Sequence, residues 1–186
     1  MVAAAILGIL ALVVSACASG PAGSPTQANF RLLVSDQPNV IGDFAHLNVT
    51  ISSIGVHPFG DNSTWLEFSP NIGTVDLTTL QGENAEEIWS GNITPGQYDK
   101  VFIYVSNVEG NLTASAGNGT ANVKLPSGKL QISTPFTVSG NGTTSLVFDI
   151  TVIKAGNSGK YILEPQIATS GVNQGFREVK PTQNQD

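Results

Sequence analysis

The sequence predicts an all-β protein whose one domain is a two-sheet antiparallel sandwich of the immunoglobulin or transthyretin type. Apolar and polar residues alternate in about nine short segments, which is the pattern of half-buried strands. Gly- and Asn-rich turns separate the segments, among them Gly117-Asn118-Gly119 and Gly140-Asn141-Gly142. At most one short helix is expected, over residues 83–89. Many short strands with almost no helix favour a sandwich.

The predicted strands follow one another through the whole domain. They cover residues 30–34, 45–57, 65–68, 74–80, 101–105, 122–125, 130–138, 143–154 and 160–168. The clearest alternation lies in 143–154, where four apolar side chains share one face and are predicted to line the core: Leu146, Phe148, Ile150 and Val152. Residues 101–105 are apolar on both faces, which indicates a central strand.

Three local features predict irregular or anchored strands. The apolar parity in 45–57 changes between Ile51 and Ile54, so a bulge or break is predicted at residues 52–53. Pro135 interrupts the strand 130–138 and is expected at a bulge or an edge. Tyr98 follows a Pro-Gly turn at the start of the central strand, where its hydroxyl is expected to bond to the backbone.

The N-terminal segment predicts export and lipid attachment. Residues 2–14 are apolar and uncharged, too few to span a bilayer but typical of the h-region of a signal peptide. V-S-A-C at 14–17 resembles a lipobox, which makes residues 1–16 the signal peptide and Cys17 the lipid acceptor. The alternative is a buried free cysteine. No Lys or Arg precedes Arg31, so either the start codon is placed too late or export is less secure.

The remaining boundaries follow from composition. Residues 17–29 form the lipidated cysteine with a flexible Gly, Pro and Ser spacer, 30–172 the β domain, and 173–186 a polar, disordered tail. This organisation places the domain on the outer face of the cytoplasmic membrane, anchored by lipid and exposed to the cell exterior. Neither 18–29 nor 173–186 alternates as a donor strand would, so a monomer is predicted.

Charge and cysteine content restrict the partners. Only 12% of residues are charged, the net charge is −6 and the pI is about 4.7. Nucleic acid is therefore excluded, because no basic stripe is present to neutralise phosphates. The single cysteine rules out an internal disulfide. The expected partners are the membrane, through the lipid, and a cell-surface protein or glycan.

Seven sequence motifs together resemble a family of surface-lipoprotein domains found in bacteria and archaea, domain-of-unknown-function family 4382. The motifs are S-D-Q-P (35–38), L-N-V-T-I-S-S-I-G-V-H (47–57), V-D-L-T-T-L-Q-G (75–82), P-G-Q-Y (95–98), L-P-S-G-K (125–129), F-D-I (148–150) and G-N-S-G-K-Y-I-L-E-P (156–165). The resemblance spans about residues 30–172. It implies an exported β-sandwich and supplies no activity.

The titratable residues do not form a recognisable catalytic pattern. His46 lies on a predicted solvent face and His57 precedes Pro58 at a strand end, so neither is expected to act on a Ser, Thr or Cys nucleophile. No catalytic residue, cofactor or metal site is predicted. Most acids, including Asp43, Asp61 and Asp76, suit turns and caps, which leaves Asp36 and Asp149 as weak candidates for a metal.

Asparagine and aromatic residues supply two further candidate sites. Six sequons fit N-x-[ST], against roughly three expected from composition, and most lie at predicted turns: Asn48, Asn62, Asn92, Asn111, Asn118 and Asn141. Four aromatic residues are candidates for a carbohydrate platform, although core packing is the stronger interpretation: Trp65, Trp89, Tyr98 and Tyr104.

The predicted function is a non-enzymatic extracytoplasmic lipoprotein module with a structural or adhesive role. The alternative is a lipoprotein that binds a glycan, a small molecule or calcium. An enzyme comes third, because no combination of acid, base and nucleophile is visible.

Overall fold

The computed structural model of the protein describes residues 27–60, 64–156 and 158–180. In these ranges the chain forms eleven strands and three short 3-10 helices, which confirms the all-β prediction. The strands are β1 (Phe30–Asp36), β2 (Phe44–Pro58), β3 (Leu66–Phe68), β4 (Thr74–Asp76), β5 (Asn84–Gly91), β6 (Gly96–Leu112), β7 (Thr120–Lys124), β8 (Lys129–Val138), β9 (Thr144–Lys154), β10 (Lys160–Pro165) and β11 (Arg177–Glu178). The 3-10 helices are η1 (Ile41–Asp43), η2 (Leu77–Thr79) and η3 (Ala114–Ala116).

The predicted two-sheet antiparallel sandwich is corrected by the hydrogen bonding, which joins the strands into one mixed sheet. The order is β11-β5-β1-β9-β10-β7-β6-β2-β3, with β4 also on β2 and β8 also on β6. β7 makes the sheet continuous, since it pairs with both β6 and β10. The pairs β1–β9, β7–β10 and β5–β11 are parallel. Alternation identifies a buried face but not the neighbour or its direction, so the sequence carried no signal of these pairs.

The sheet curls so that its two halves enclose one core. The ring of Phe30 on β1 stacks on that of Phe136 on β8, with centroids 5.6 Å apart. The backbone amides of Asn71 and Ile72, after β3, donate to the carbonyl of Ile88 on β5 at 2.8 and 3.3 Å. Strands from opposite ends of the order therefore meet. The buried residues form a single hydrophobic cluster.

The predicted core face and irregular positions are confirmed. All four predicted core residues of β9 are fully buried: Leu146, Phe148, Ile150 and Val152. The register of β2 against β6 shifts on both sides of Ile51, which leaves Ser52 as the extra residue of a bulge. The register of β8 against β6 shifts between Ser133 and Phe136, which places Pro135 at the irregularity. The hydroxyl of Tyr98 donates to the carbonyl of Thr94 at 2.7 Å.

The predicted helix at 83–89 is wrong, because the segment is strand β5. Ala85, Ile88 and Trp89 are buried, and their spacing of three and four resembles one face of a helix. In the structure a bulge produces this spacing: Leu32 pairs with Trp89 and Leu33 with Glu87, so Ile88 is the extra residue. Pairing with β1 and β11 satisfies the backbone of β5.

The C-terminal segment is ordered as far as Lys180, although residues 173–186 were predicted to be disordered. β11 pairs parallel to β5, and the amides of Arg177 and Val179 donate to the carbonyls of Glu83 and Ala85 at 2.6 and 2.9 Å. Gly171 exchanges two backbone hydrogen bonds with Val147 on β9. Because β9, β1 and β5 are consecutive in the strand order, residues 172–176 cross all three. We call residues 166–179 the C-terminal strap.

Candidate functional site

A cavity of about 330 Å³ lies between the strap and the face of β1 and β9 that points away from the core. The core face of β9 carries Phe148 and Ile150, so alternation directs Val147 and Asp149 to the other face, where they line the cavity. Six of the lining side chains carry oxygen atoms: Ser35, Gln37, Glu83, Asp149, Thr169 and Gln174. The strap itself contributes Thr169, Gln174 and Phe176. The cavity is therefore polar, and the ordered C terminus is needed to complete it.

Asp149 is the buried acid of this cavity. It is only 1% exposed and lies beside Ser35 in the parallel register of β1 and β9. Its Oδ2 accepts a hydrogen bond from the Thr169 hydroxyl, and its backbone amide donates to the Ser170 hydroxyl at 2.9 Å. Burial raises the pKa of Asp149, and the hydrogen bonds that its carboxyl group receives from Thr169, Ser35 and the backbone of Gln37 and Ile150 only partly oppose that rise.

Asp36 is a second buried acid at the end of β1. Its backbone amide donates to Leu80 O at 2.9 Å, and its backbone carbonyl accepts from Gly82 N at 3.1 Å. Its side chain is fully buried, and neither carboxyl oxygen has a partner in the described part of the chain. Burial and the nearby charge of Asp149 raise the pKa of Asp36 to about 8. Asp36 is therefore mostly protonated at neutral pH.

The chemistry available in the cavity favours positively polarised ligands. Two of its side chains, Glu83 and Asp149, carry carboxylates, and the structure records no Lys, Arg or His in the lining. In the described ranges, no group of three or more His, Cys, Asp or Glu side chains is arranged to hold a metal. The two weak metal candidates of the sequence, Asp36 and Asp149, thus prove to be electrostatic neighbours on adjacent strands.

The other predicted acids have structural roles where they are described. Asp43 accepts from the Lys154 ammonium at 2.7 Å and the Tyr161 hydroxyl at 2.9 Å, and these bonds lower the pKa of Asp43. Asp76 caps η2 through a bond from Thr78 N at 3.0 Å and lies 2.8 Å from His46 Nδ1. Asp61 falls outside the described residues.

The two histidines each contact one carboxylate. His46 is exposed and bonded to Asp76, in agreement with its predicted solvent face. His57 is only 6% exposed, its Nδ1 lies 2.7 Å from Asp99 Oδ1, and its ring centroid is 5.0 Å from that of Trp65. The sequence did not predict the His57–Asp99 pair, because His57 lies on β2 and Asp99 on the neighbouring strand β6, and no spacing in the sequence indicates that the two are in contact. A carboxylate can orient a catalytic imidazole, but the same hydrogen bond also occurs between side chains that have only a structural role.

The four aromatic residues proposed as a platform separate into two groups. Trp89 and Tyr98 belong to the hydrophobic core, as the packing interpretation predicted. Trp65 and Tyr104 lie on the opposite face of the sheet, half-buried, with ring centroids 4.6 and 4.7 Å from that of Phe102.

The ammonium of Lys129 covers this outer aromatic group. Its Nζ lies 5.0 Å from the Phe102 centroid, 5.4 Å from Trp65 and 5.7 Å from Tyr104. Gly55 permits the arrangement, because a Cβ there would meet the Phe102 ring at 2.3 Å. A sugar ring would have to displace Lys129 before it stacked on these aromatics.

The modification sites differ in accessibility. Cys17 and Asn62 lie outside the described residues. Four sequon asparagines are exposed: Asn92, Asn111, Asn118 and Asn141. Asn48 is half-buried on β2, which pairs there with both β4 and β6. Glycosylation at any of them remains a prediction, and the central strand makes Asn48 the least accessible of the described sequons.

Comparison with known proteins gives one match. A family model described as a domain of unknown function (DUF4382) matches residues 27–165. Searches of the curated proteins and of the solved structures found no match. Within the described ranges, no helix combines the length and the apolar character needed to cross a membrane.

Proposed function

The chain belongs to the DUF4382 family of domains of unknown function, and we propose that it is a non-enzymatic lipoprotein module on the outer face of the cytoplasmic membrane. Its role there is structural or adhesive. The lipobox-like V-S-A-C at 14–17 and the preceding apolar run support export and lipid attachment at Cys17. Low charge and polar turns suit an exposed surface outside the cell.

The observation that carries the proposal is the firm attachment of the first residues of the domain. The Asn29 side chain donates to Ile93 O at 2.8 Å and accepts from Ile93 N at 2.9 Å. The Asn29 amide donates to Asn92 Oδ1 at 3.0 Å, and the Thr143 hydroxyl donates to Ala28 O at 2.6 Å. A tether entering here would therefore pull on a fixed point at one end of the domain.

This geometry gives the domain a direction relative to its anchor. β1 leaves the attachment point at Phe30 and ends at Asp36, a distance of roughly 20 Å for a strand of this length. The parallel strand β9 runs the same way. The acid-lined cavity thus lies toward the end of β1 that is remote from the tether. A lipid at Cys17 would thus be attached through the end of the domain that is opposite to the cavity.

Replacing Cys17 tests the anchor directly. We expect the wild-type protein to fractionate with membranes and to be cleaved by protease added to intact cells. Cys17→Ser should leave the membrane fraction, because it is the only residue able to accept the lipid. Ser19→Ala, in the spacer, is the matched control and should behave as wild type. Retention of Cys17→Ser on membranes would show that the anchor is something else.

A second candidate function is ligand binding, and the cavity is the observation that favours it. Structural or adhesive modules do not require a polar cavity with two carboxylates, Glu83 and Asp149, in its lining. A glycan, a small molecule or calcium are the ligand classes considered for this candidate.

A further inference from the structure

We propose that the end of the domain that carries the tether docks on the bilayer surface, with the exposed ring of Phe59 entering the boundary between head groups and acyl chains. The inference rests on the proposed lipid anchor at Cys17 and goes beyond it, because an anchor alone does not fix which surface of the domain meets the bilayer. The partner of the surface around Phe59 is a phospholipid membrane.

The first argument is the placement of Phe59 at the tether end. Strand β2 ends beside the first residues of β6, and the amide of Phe59 donates to Gln97 O at 2.9 Å. Just before β6, Ile93 exchanges hydrogen bonds with the side chain of Asn29 at the attachment point. Phe59 therefore lies at the same end of the domain as the tether, and pairing with β6 holds its backbone in place.

The second argument is the apolar surface at this end. Phe59 is 62% exposed, and in the described ranges Ile167, at 57%, is the only other large apolar side chain exposed to this degree. A groove of about 310 Å³ lies beside the Phe59 ring, with Tyr98, Pro135 and Phe136 in its lining. Single exposed apolar side chains are common on proteins, but here the ring and the groove form one surface. Such a surface gains free energy when acyl chains replace water around it.

The third argument is the distribution of charge. Four described segments meet at the tether end, and none contains Asp, Glu, Lys or Arg: 27–29, 59–60, 91–97 and 139–143. Asp61, which follows in the sequence, falls outside the described residues. The net charge of −6 opposes contact with anionic head groups, so an end whose described residues carry no acid meets them with the least repulsion.

The fourth argument is the length of the tether. Gln27, the first described residue, comes ten residues after Cys17. A chain of that length spans at most about 35 Å when fully extended. A lipid at Cys17 therefore keeps the tether end within that distance of the bilayer, which raises the effective concentration of the membrane around Phe59. A contact too weak to hold a free domain is sufficient under this restraint.

Docking would fix the orientation of the domain. Strands β1 and β9 both run from the tether end toward the remote end, where the acid-lined cavity lies. Contact of the tether end with the bilayer would hold that cavity away from the membrane. The surface around Phe59 would thus give the cavity access to ligands outside the cell.

The test measures how close the tether end lies to lipid in the full-length, lipidated protein. The protein is reconstituted into vesicles of equal parts phosphatidylcholine and phosphatidylglycerol that contain a spin-labelled lipid. An environment-sensitive fluorophore is attached at Gln97→Cys or, beyond the far end of β6, at Ala114→Cys. Both positions are exposed, and the lipid blocks Cys17, the only native cysteine. Quenching should be about twofold or more stronger at 97 than at 114, because interfacial side chains lie only about 5–10 Å deep.

Substitutions at Phe59 show whether its ring makes the contact. Phe59→Ser should remove most of the difference in quenching between positions 97 and 114, and Phe59→Trp should retain it. Ile167→Ser is the matched control and should behave as wild type, since its neighbour Gln166 is bonded to Asp149 O, away from the tether end. Phe59 and Ile167 are both more than half exposed, so these variants should fold normally.

Equal quenching at 97 and 114 in the wild type, or quenching at 97 that Phe59→Ser leaves unchanged, would overturn the inference. Self-quenching between fluorophores at 97 that depends on Phe59, without quenching by the labelled lipid, would assign the surface to a second copy of the chain and overturn it too. The intact mass separates this failure from that of the proposed function. A lipid on Cys17 with equal quenching refutes docking alone, whereas a mass without lipid overturns both.

Discussion

The two faces of β9 are equally buried but are covered in different ways. Phe148 is fully buried by the apolar cluster, and the next residue, Asp149, is 1% exposed beneath the polar strap. The first face packs against the apolar side chains of the hydrophobic core. The second buries a carboxyl group among polar contacts, including a hydrogen bond from the Thr169 hydroxyl. Burial alone therefore does not indicate a stabilising role, and the polar face is the better candidate for function.

The largest effect should come from the apolar face. Phe148→Ala removes a fully buried ring and leaves a cavity, so the free energy of unfolding should fall by about 3–5 kcal/mol in a denaturant titration. Val147→Ala on the other face, under the strap, should cost less because fewer methyl groups are lost. A loss below about 1 kcal/mol for Phe148→Ala would mean that the core face of β9 is misassigned.

The next effect concerns the pH dependence of stability. The pKa of Asp36 is about 8 in the folded protein against an ordinary value of 3.8. Between these values the unfolded chain has lost the proton and the folded chain keeps it, so stability falls as pH rises from about 4 to about 8.

Asp36→Asn should remove much of that fall, by about 2–4 kcal/mol between pH 5 and pH 8. The remaining slope comes from Asp149, whose pKa is also raised by burial. Urea titrations across this pH range measure both slopes, with the exposed Glu109→Gln as control. A wild-type stability that is flat or rising over the range would contradict the burial of an unpaired Asp36.

A smaller effect is expected from deleting residues 173–186. The deletion removes β11, its two backbone bonds to Glu83 and Ala85, and the ion pair of Glu178 with Arg31 at 2.5 Å. Loss of these contacts should lower the free energy of unfolding by about 1–3 kcal/mol. Deletion of 181–186 alone is the control, since it leaves β11 in place. An unchanged stability in the longer deletion is the result expected of a disordered tail.

The sequence predicted the features that depend on local periodicity. The alternation in 143–154 identified the core face, and the change of apolar parity near Ser52 identified the bulge. Both could be predicted because each depends only on the order of apolar and polar residues within one segment. Periodicity failed at β5, where the bulge at Ile88 imitates a helical spacing. It also failed for β11, since two residues show no alternation and are held by pairing with β5.

The candidate site was predictable only in part. Asp36 and Asp149 were the weak metal candidates of the sequence, but their proximity depends on the parallel pairing of β1 with β9. The partners that complete the cavity, such as Thr169 and Gln174, come from a strap that the sequence presents as polar and aperiodic. Long-range pairing of this kind leaves no mark on either segment alone.

Amide hydrogen exchange of the strap tests the central claim most directly, namely that an ordered C-terminal segment closes over the polar face of β9. The amides of Gly171, Arg177 and Val179 are bonded to Val147, Glu83 and Ala85, so they should exchange much more slowly than an unstructured chain. Protection of these three amides comparable to that of edge strands such as β3 is the predicted result. Exchange at the rate of an unstructured peptide would contradict the claim and leave Asp149 open to solvent.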